Sequence, residues 1–206
     1  MSPYIICIDG NIGSGKSTLL DSLSERGFQV YKEGVDMWTD VLEYFYKDKS
    51  RWAFSLQVAI LVDMYMKYKE ALSLSACDIV FFERSPQSSL LFVQNSYLSG
   101  NISPVEYKHY MRLHTLLCWV PHKTFILDTC ISTCFKRIHK RQDVNIKTGL
   151  TKDYLTLIDT QYKSLQHVES VDGSLNVKCL TNLVVGRVQS FIPRNIIQIS
   201  PDVFII

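Results

Sequence analysis

Residues 4–18 read YIICIDGNIGSGKST, and they decide the fold. Tyr4, Ile5, Ile6, Cys7 and Ile8 make a short apolar run with β-favouring side chains, bounded by Asp9 and Gly10, which is the pattern of a buried strand. Gly10, four further residues, then Gly15, Lys16 and Ser17 follow, and Thr18, Leu19 and Leu20 open a helical pattern. A glycine-rich turn between a strand and a helix is the context that a phosphate-binding loop requires. Glycines at 10, 13 and 15 let successive backbone N–H groups turn inward, and the positive end of the following helix caps the anion cradle. Lys16 is expected along the β- and γ-phosphates and the Ser17 hydroxyl on Mg²⁺. The expected ligand is a nucleoside triphosphate, with a plain connecting turn as the blander alternative.

Outward from this loop, the chain of 206 residues fits one domain, residues 1–206, since a fold of this size removes roughly 70% of the unfolded surface from water. Hydrophobic residues make up 47% and charged residues 20%, and the net charge of +2 supplies no general basic field. A small substrate is therefore expected, with no nucleic acid or membrane as partner. Six cysteines, at 7, 77, 118, 130, 134 and 179, show neither a C-x-x-C pair nor zinc spacing, so they read as reduced thiols. The first strand begins at residue 4 and no apolar run reaches membrane-spanning length, so a cytoplasmic location is expected.

Strands and helices alternate, the pattern of a parallel sheet covered on both faces. Strands are expected at 28–31, 78–82, 123–127 and 176–180. Helices are expected at 36–46, 51–75, 131–141, 151–167 and 183–191, with two more after Pro86 and after Ser103. In the long helix Phe54, Val58, Leu61, Val62 and Tyr65 recur at helical spacing and read as core. Pro86 suits a first helical position, and Ser103-x-x-Glu106 is a capping box. The tail, 193–206, contains Pro193 and Pro201 and matches no element.

In an open parallel sheet ligands gather at the carboxyl ends of the strands. Asp9, Glu33, Glu83 and Asp128 each follow an expected strand. Asp9 and Asp128 read as solvated or helix-capping acids. Glu83 is placed to reach a magnesium shell, and Arg84 beside it can make forked contacts to an oxygen. Glu33 is placed to take the proton of an attacking hydroxyl. Arg137 and Arg141 lie four apart on one face of a basic helix, either a solvated face or a helical lid over phosphates.

With Gly10-Asn11-Ile12-Gly13-Ser14-Gly15-Lys16-Ser17-Thr18, Glu33-Gly34-Val35-Asp36-Met37-Trp38, Tyr46-Lys47-Asp48, Trp52-Ala53, Gln57 and Glu83-Arg84-Ser85 in hand, the chain resembles the deoxyribonucleoside kinases. That group includes the insect multisubstrate enzyme and the herpesvirus thymidine kinases. The resemblance runs from Tyr4 to about Leu165. It implies transfer of the ATP γ-phosphate to the 5′-hydroxyl of a deoxynucleoside, with Glu33 as base and Arg84 near the 5′-oxygen, and assembly as a homodimer. It places Gln57 on the base edge, Trp38, Ile60, Met64 and Phe92 around the base, and Tyr46 at the sugar 3′-hydroxyl. Ser88 and Ser89 stand where relatives that accept purines or deoxycytidine carry an acid, so thymidine is the favoured substrate, with deoxycytidine as the second choice. Asp143 is offered for the second sugar-binding acid. Mixed cellular and herpes-like features point to a viral or divergent enzyme.

Two rival functions stand beside this one. A thymidylate-type monophosphate kinase shares the loop, lid and sheet, but needs cations near Glu33 to hold a substrate phosphate, and the local sequence offers Lys32 alone. A nucleotide-dependent switch without a small substrate leaves Gln57 and Tyr46 without a role.

Overall fold

The run at residues 4–8 is strand β1 (Tyr4–Gly10), the middle of a sheet in which every neighbouring pair is parallel. The computed structural model describes residues 3–74, 78–140 and 150–192. β2 (Gln29–Tyr31), β3 (Ile79–Glu83), β4 (Lys123–Asp128) and β5 (Glu169–Asp172) complete the order β2-β3-β1-β4-β5. Side chains along β1 alternate between two covered faces. Ile6 and Ile8 pack with Leu19, Leu20 and Leu23 of α1 (Lys16–Glu25) and with Leu180, Val184 and Val188 of α8 (Val177–Phe191). Ile5 and Cys7 pack on the other face, with Ala71 at the end of α3 (Lys49–Ala71) and with Trp119. A sheet buried on both faces is joined by crossover helices, which is why its central strands β1 and β3 read as continuous apolar runs.

The chain leaves β1 toward β2 on one side and leaves β3 toward β4 on the other. Above the β1–β3 pair the connections diverge, and a crevice opens at the strands' carboxyl ends. Helices α2 (Val35–Lys47), α3 and α4 (Pro86–Leu98) wall it, with α7 (Lys152–Lys163) beside α4. Ser103 caps α5 (Pro104–Leu117) in the capping box that its spacing predicts, and Pro86 takes the first helical position of α4, where Ser85 and Ser88 form a second capping box that the sequence did not announce. Helix α6 (Ile131–Lys140) carries the basic stretch.

Three expectations need correction. The last strand is not at 176–180. Asn176 caps α8 by accepting from the Cys179 N–H at 2.9 Å, so the apolar run there is helical. The strand lies earlier, at β5, where only Val171 is buried, so no apolar run marks it. On α3 the expected stripe holds in part, with Leu61 in the core and Phe54 and Val58 packed against it, but Val62 is 43% exposed and the buried face also takes in Ala53, Leu56, Gln57 and Met64. Asp9 is not solvated but fully buried, whereas Asp128 is exposed as expected. Arg141, Asp143 and the 193–206 tail lie outside the described residues.

Candidate active site

The loop between β1 and α1 forms the floor of the crevice. Gly13 has φ of +79°, and a Cβ there would stand 2.7 Å from the Cys134 carbonyl oxygen, so glycine is required both by conformation and by the approach of α6. The Lys16 ammonium is buried and donates to the carbonyl oxygens of Gly10 (3.1 Å) and Asn11 (3.0 Å). Burial, then the nearby Arg84 charge, lowers its pKa to about 8. The Asn11 side chain turns away from the cradle and donates to the Leu155 carbonyl of α7 at 2.8 Å. Arg137 reaches across from α6 and donates to the Ser14 carbonyl at 2.7 Å, so it braces the loop and is only half-buried. The Ser14 hydroxyl is buried without a partner among the described residues, and Thr18 is exposed.

Ser17 and Glu83 meet beside the cradle, with the Ser17 hydroxyl donating to Glu83 Oε1 at 3.1 Å. A hydroxyl and a carboxylate converging here are hard oxygen donors, the set that suits Mg²⁺ when phosphate oxygens and water complete the shell.

Glu33 follows β2 and Arg84 follows β3, and the parallel pairing of those strands brings them together. Arg84 Nε donates to Glu33 Oε2 at 3.1 Å. Burial by itself would raise the Glu33 carboxyl, but Arg84 and Lys16 outweigh it and hold the group below the usual glutamate range. Glu33 is therefore an ionised acceptor at neutral pH. The turn carrying it is clamped from α3, where Lys67 donates to the Lys32 carbonyl (2.8 Å) and to Asp63 (2.7 Å). A Cβ on Gly34 would stand 2.5 Å from that ammonium and 2.6 Å from the Asp63 carboxylate, so a side chain there would displace the Lys67–Asp63 pair.

Arg84 has φ of +69°, a left-handed backbone that costs a side-chain-bearing residue about 1–3 kcal/mol. The surroundings hold it there. Its own N–H donates to the Ile8 carbonyl (3.0 Å), the Ser85 N–H donates to Asp9 Oδ2 (2.9 Å), and its guanidinium lies 4.7 Å from the centre of the Phe92 ring. Guanidinium Nη1 donates to the Tyr162 hydroxyl at 2.8 Å, and that hydroxyl donates to Asp9 Oδ1 at 3.1 Å. Burial, then the Asp9 charge, pushes the Tyr162 phenol far above its ordinary range, so it stays protonated.

These groups open onto one cavity of about 510 Å³. Its phosphate end is lined by Ile12, Gly15, Lys16, Ser17 and Glu83. Beyond Glu33 and Arg84 it runs between α2, α3 and α4, lined by Trp38, Tyr46, Gln57, Ile60, Met64 and Phe92. The structure thus gathers the residues expected around a base into one pocket. Gln57 is 7% exposed, and its amide makes no hydrogen bond among the described residues. Trp38 sits at a break in α2, φ −139° and ψ 18°, which turns its ring into the wall.

Ser88 is a correction. It is fully buried, and its hydroxyl completes the α4 cap, so it does not face the cavity. Ser89 lines the cavity but donates its hydroxyl to the Pro86 carbonyl at 2.7 Å. Sequence reasoning missed Tyr154 and Tyr162 and read Asp9 as a solvated or helix-capping acid. Asp9 gave no local sign beyond its place before Gly10. Tyr162 recurs at helical spacing with Leu155, Ile158 and Leu165, where only the need of a buried hydroxyl for a partner marks it.

Comparison with known proteins bears on all of this. The deoxynucleoside kinase family model matches residues 6–192. A protein of Invertebrate iridescent virus 3, named as a kinase without a substrate, is 33% identical over 187 residues, 88% of this chain and 94% of that one. Human mitochondrial thymidine kinase 2 is 30% identical over 151 residues, 66% of this chain and 55% of that one. Among solved structures, a deoxyadenosine kinase from M. mycoides superposes with a TM-score of 0.77 at 23% identity, covering 90% of this chain and 99% of that one. At that identity the superposition speaks for the fold.

Proposed function

Since the chain belongs to the deoxynucleoside kinase family, we propose that it transfers the γ-phosphate of ATP to the 5′-hydroxyl of a pyrimidine deoxynucleoside, thymidine before deoxycytidine, for nucleotide salvage. One observation carries this reading: a single cavity joins the phosphate loop, the Glu33–Arg84 pair and the Gln57 amide. The loop amides and Lys16 hold the phosphates, and bound Mg²⁺, on Ser17 and Glu83, would neutralise charge that builds up during transfer. Glu33 accepts the 5′-hydroxyl proton, and Arg84 steadies both the carboxylate and the acceptor oxygen. Gln57 can give and take a hydrogen bond at once, which suits a pyrimidine edge. Among the described residues the carboxylates that line the cavity are Glu33 and Glu83, both at its phosphate end, so no acid stands by the base to favour an exocyclic amine. This supports thymidine.

The monophosphate kinase alternative is weakened by the cations near Glu33. Lys32 pairs with Asp21 and Lys67 with Asp63, so a substrate phosphate would have to compete with those carboxylates for either cation. Assembly as a homodimer in the cytoplasm, or in a virus-infected host cell, belongs to the same reading and is carried by the family resemblance. No helix among the described residues is long and apolar enough to cross a membrane.

The test is ATP- and Mg²⁺-dependent turnover of the four deoxynucleosides and thymidine monophosphate, with products separated by chromatography. Thymidine is expected to be converted fastest. Conversion of the monophosphate alone would hand the site to the rival kinase, and ATP binding with no conversion would favour the switch.

ATP affinity carries its own expected pH dependence. A polyphosphate beside Lys16 draws its pKa back up from about 8, so binding takes up a proton above that pH. Affinity should then fall by up to about 10-fold per pH unit on the alkaline side. Calorimetry in buffers of different ionisation heat reads the proton directly. Affinity and proton balance that stay flat into mildly alkaline pH would mean that Lys16 is already charged in the empty site.

A further inference from the structure

The Arg84 guanidinium is 7% exposed, so its N–H groups need acceptors inside the protein. Two of its bonds serve different ends. Nε faces Glu33, and Nη1 faces the Tyr162 hydroxyl, which α7 brings in from 78 residues further along the chain. A weaker contact runs from Nη1 to the Gly10 carbonyl at 3.4 Å. The direction of every proton in the chain is fixed by chemistry. An arginine only donates, and Asp9 accepts on both of its oxygens, so the hydroxyl between them does both. Asp9, Tyr162 and Arg84 are each more than nine-tenths buried, and the network ends on Glu33.

Satisfying a buried tyrosine would need only Asp9. The second bond is what links the hydroxyl to the site. Helix α7 is also a rigid place from which to make it. It accepts the Asn11 amide on the Leu155 carbonyl, and Gln161 exchanges two hydrogen bonds with Asn95 of α4, at 2.7 and 2.8 Å. A helix pinned to both the phosphate loop and the base wall has little freedom to shift its tyrosine.

We propose that Tyr162 is a positioning residue for phosphoryl transfer: its hydroxyl, oriented by Asp9, sets the tilt of the Arg84 guanidinium against Glu33 and the acceptor oxygen. This rests on the roles given above to Glu33 and Arg84. It makes a specific claim, that Tyr162 acts through Arg84 and not on substrate.

The experiment uses the full chain with ATP and thymidine, or the best nucleoside of the panel, and measures kcat, both KM values and the melting temperature. Variants are Tyr162→Phe, Asp9→Asn, Arg84→Lys and the two doubles that combine each of the first two with Arg84→Lys. Tyr162→Phe is expected to lower kcat by about 10- to 100-fold, the range for losing an orienting partner of a site residue. KM values should stay within about 2- to 3-fold, since uniform binding is untouched. In the Arg84→Lys background the same change should alter kcat by less than about 2-fold, because the group it acts through is already gone. Asp9→Asn keeps the shape but can aim an N–H at an oxygen that already accepts from Arg84. It should reproduce the kcat loss, and its cycle decides between the outcomes if Tyr162→Phe does not fold. Wild-type kcat in Tyr162→Phe, or an equal loss in both backgrounds, overturns the proposal and leaves the kinase reading standing. A wild type that turns over no deoxynucleoside overturns both.

Discussion

Glu33→Gln is expected to lower kcat by about 10²- to 10⁴-fold, the usual contribution of a positioned base, while ATP binds within about 2-fold of wild type. The replacement is nearly isosteric. Its amide oxygen can still accept from Arg84 Nε, and the backbone N–H at this position, 3.4 Å from Glu83 Oε2, is unchanged. What disappears is the capacity to take a proton. ATP affinity is spared because the cradle and Lys16 belong to a different loop. The pH behaviour follows with a definite sign. A carboxyl held below its usual range is ionised at every pH above that range, so its pairing with Arg84 contributes stability there and loses it as pH falls through the folded value. Full turnover in Glu33→Gln would remove Glu33 as base.

Arg84→Lys should cost about 10²- to 10³-fold in kcat, the scale of losing one preorganised donor at developing charge. The charge is kept, but a single ammonium cannot face Glu33, the Tyr162 hydroxyl and the Phe92 ring at once, as the planar fork does. The loss should be larger in kcat than in the KM for ATP. Stability should fall too, since the left-handed backbone at 84 is retained while part of the network that holds it is removed. Steady-state kinetics and a thermal melt check both. A lysine enzyme with near-wild-type kcat would show that charge alone suffices and that the fork is incidental.

Much of this molecule is written locally. The loop at 10–17, the strands at 4–8, 79–83 and 123–128, and the caps at Ser85 and Ser103 each depend on side chains within a few positions of one another. The α8 segment misled because its cap and its apolar run point to different elements, and the Asn176 side chain decides for helix. β5 was illegible for the opposite reason. It is a short edge strand with one buried residue, held by pairing with β4 rather than by its own pattern.

Residue types and their spacing were enough to point to the phosphate loop and the class of sheet, to put forward Glu33 and Arg84 at their strand ends and, with the family likeness, to put forward Gln57 for the pocket that it lines. Three-dimensional packing settled which of these meet. It brought Glu33 and Arg84 together across paired strands, turned Ser88 into a cap, tied Arg137 to the loop's Ser14 carbonyl, and buried Asp9 against a tyrosine 153 residues away. The difference is one of range. Periodicity and capping report forces between neighbours in the chain, whereas a buried charge or hydroxyl needs a partner that no nearby residue supplies, and only the packing of distant elements says which one it finds.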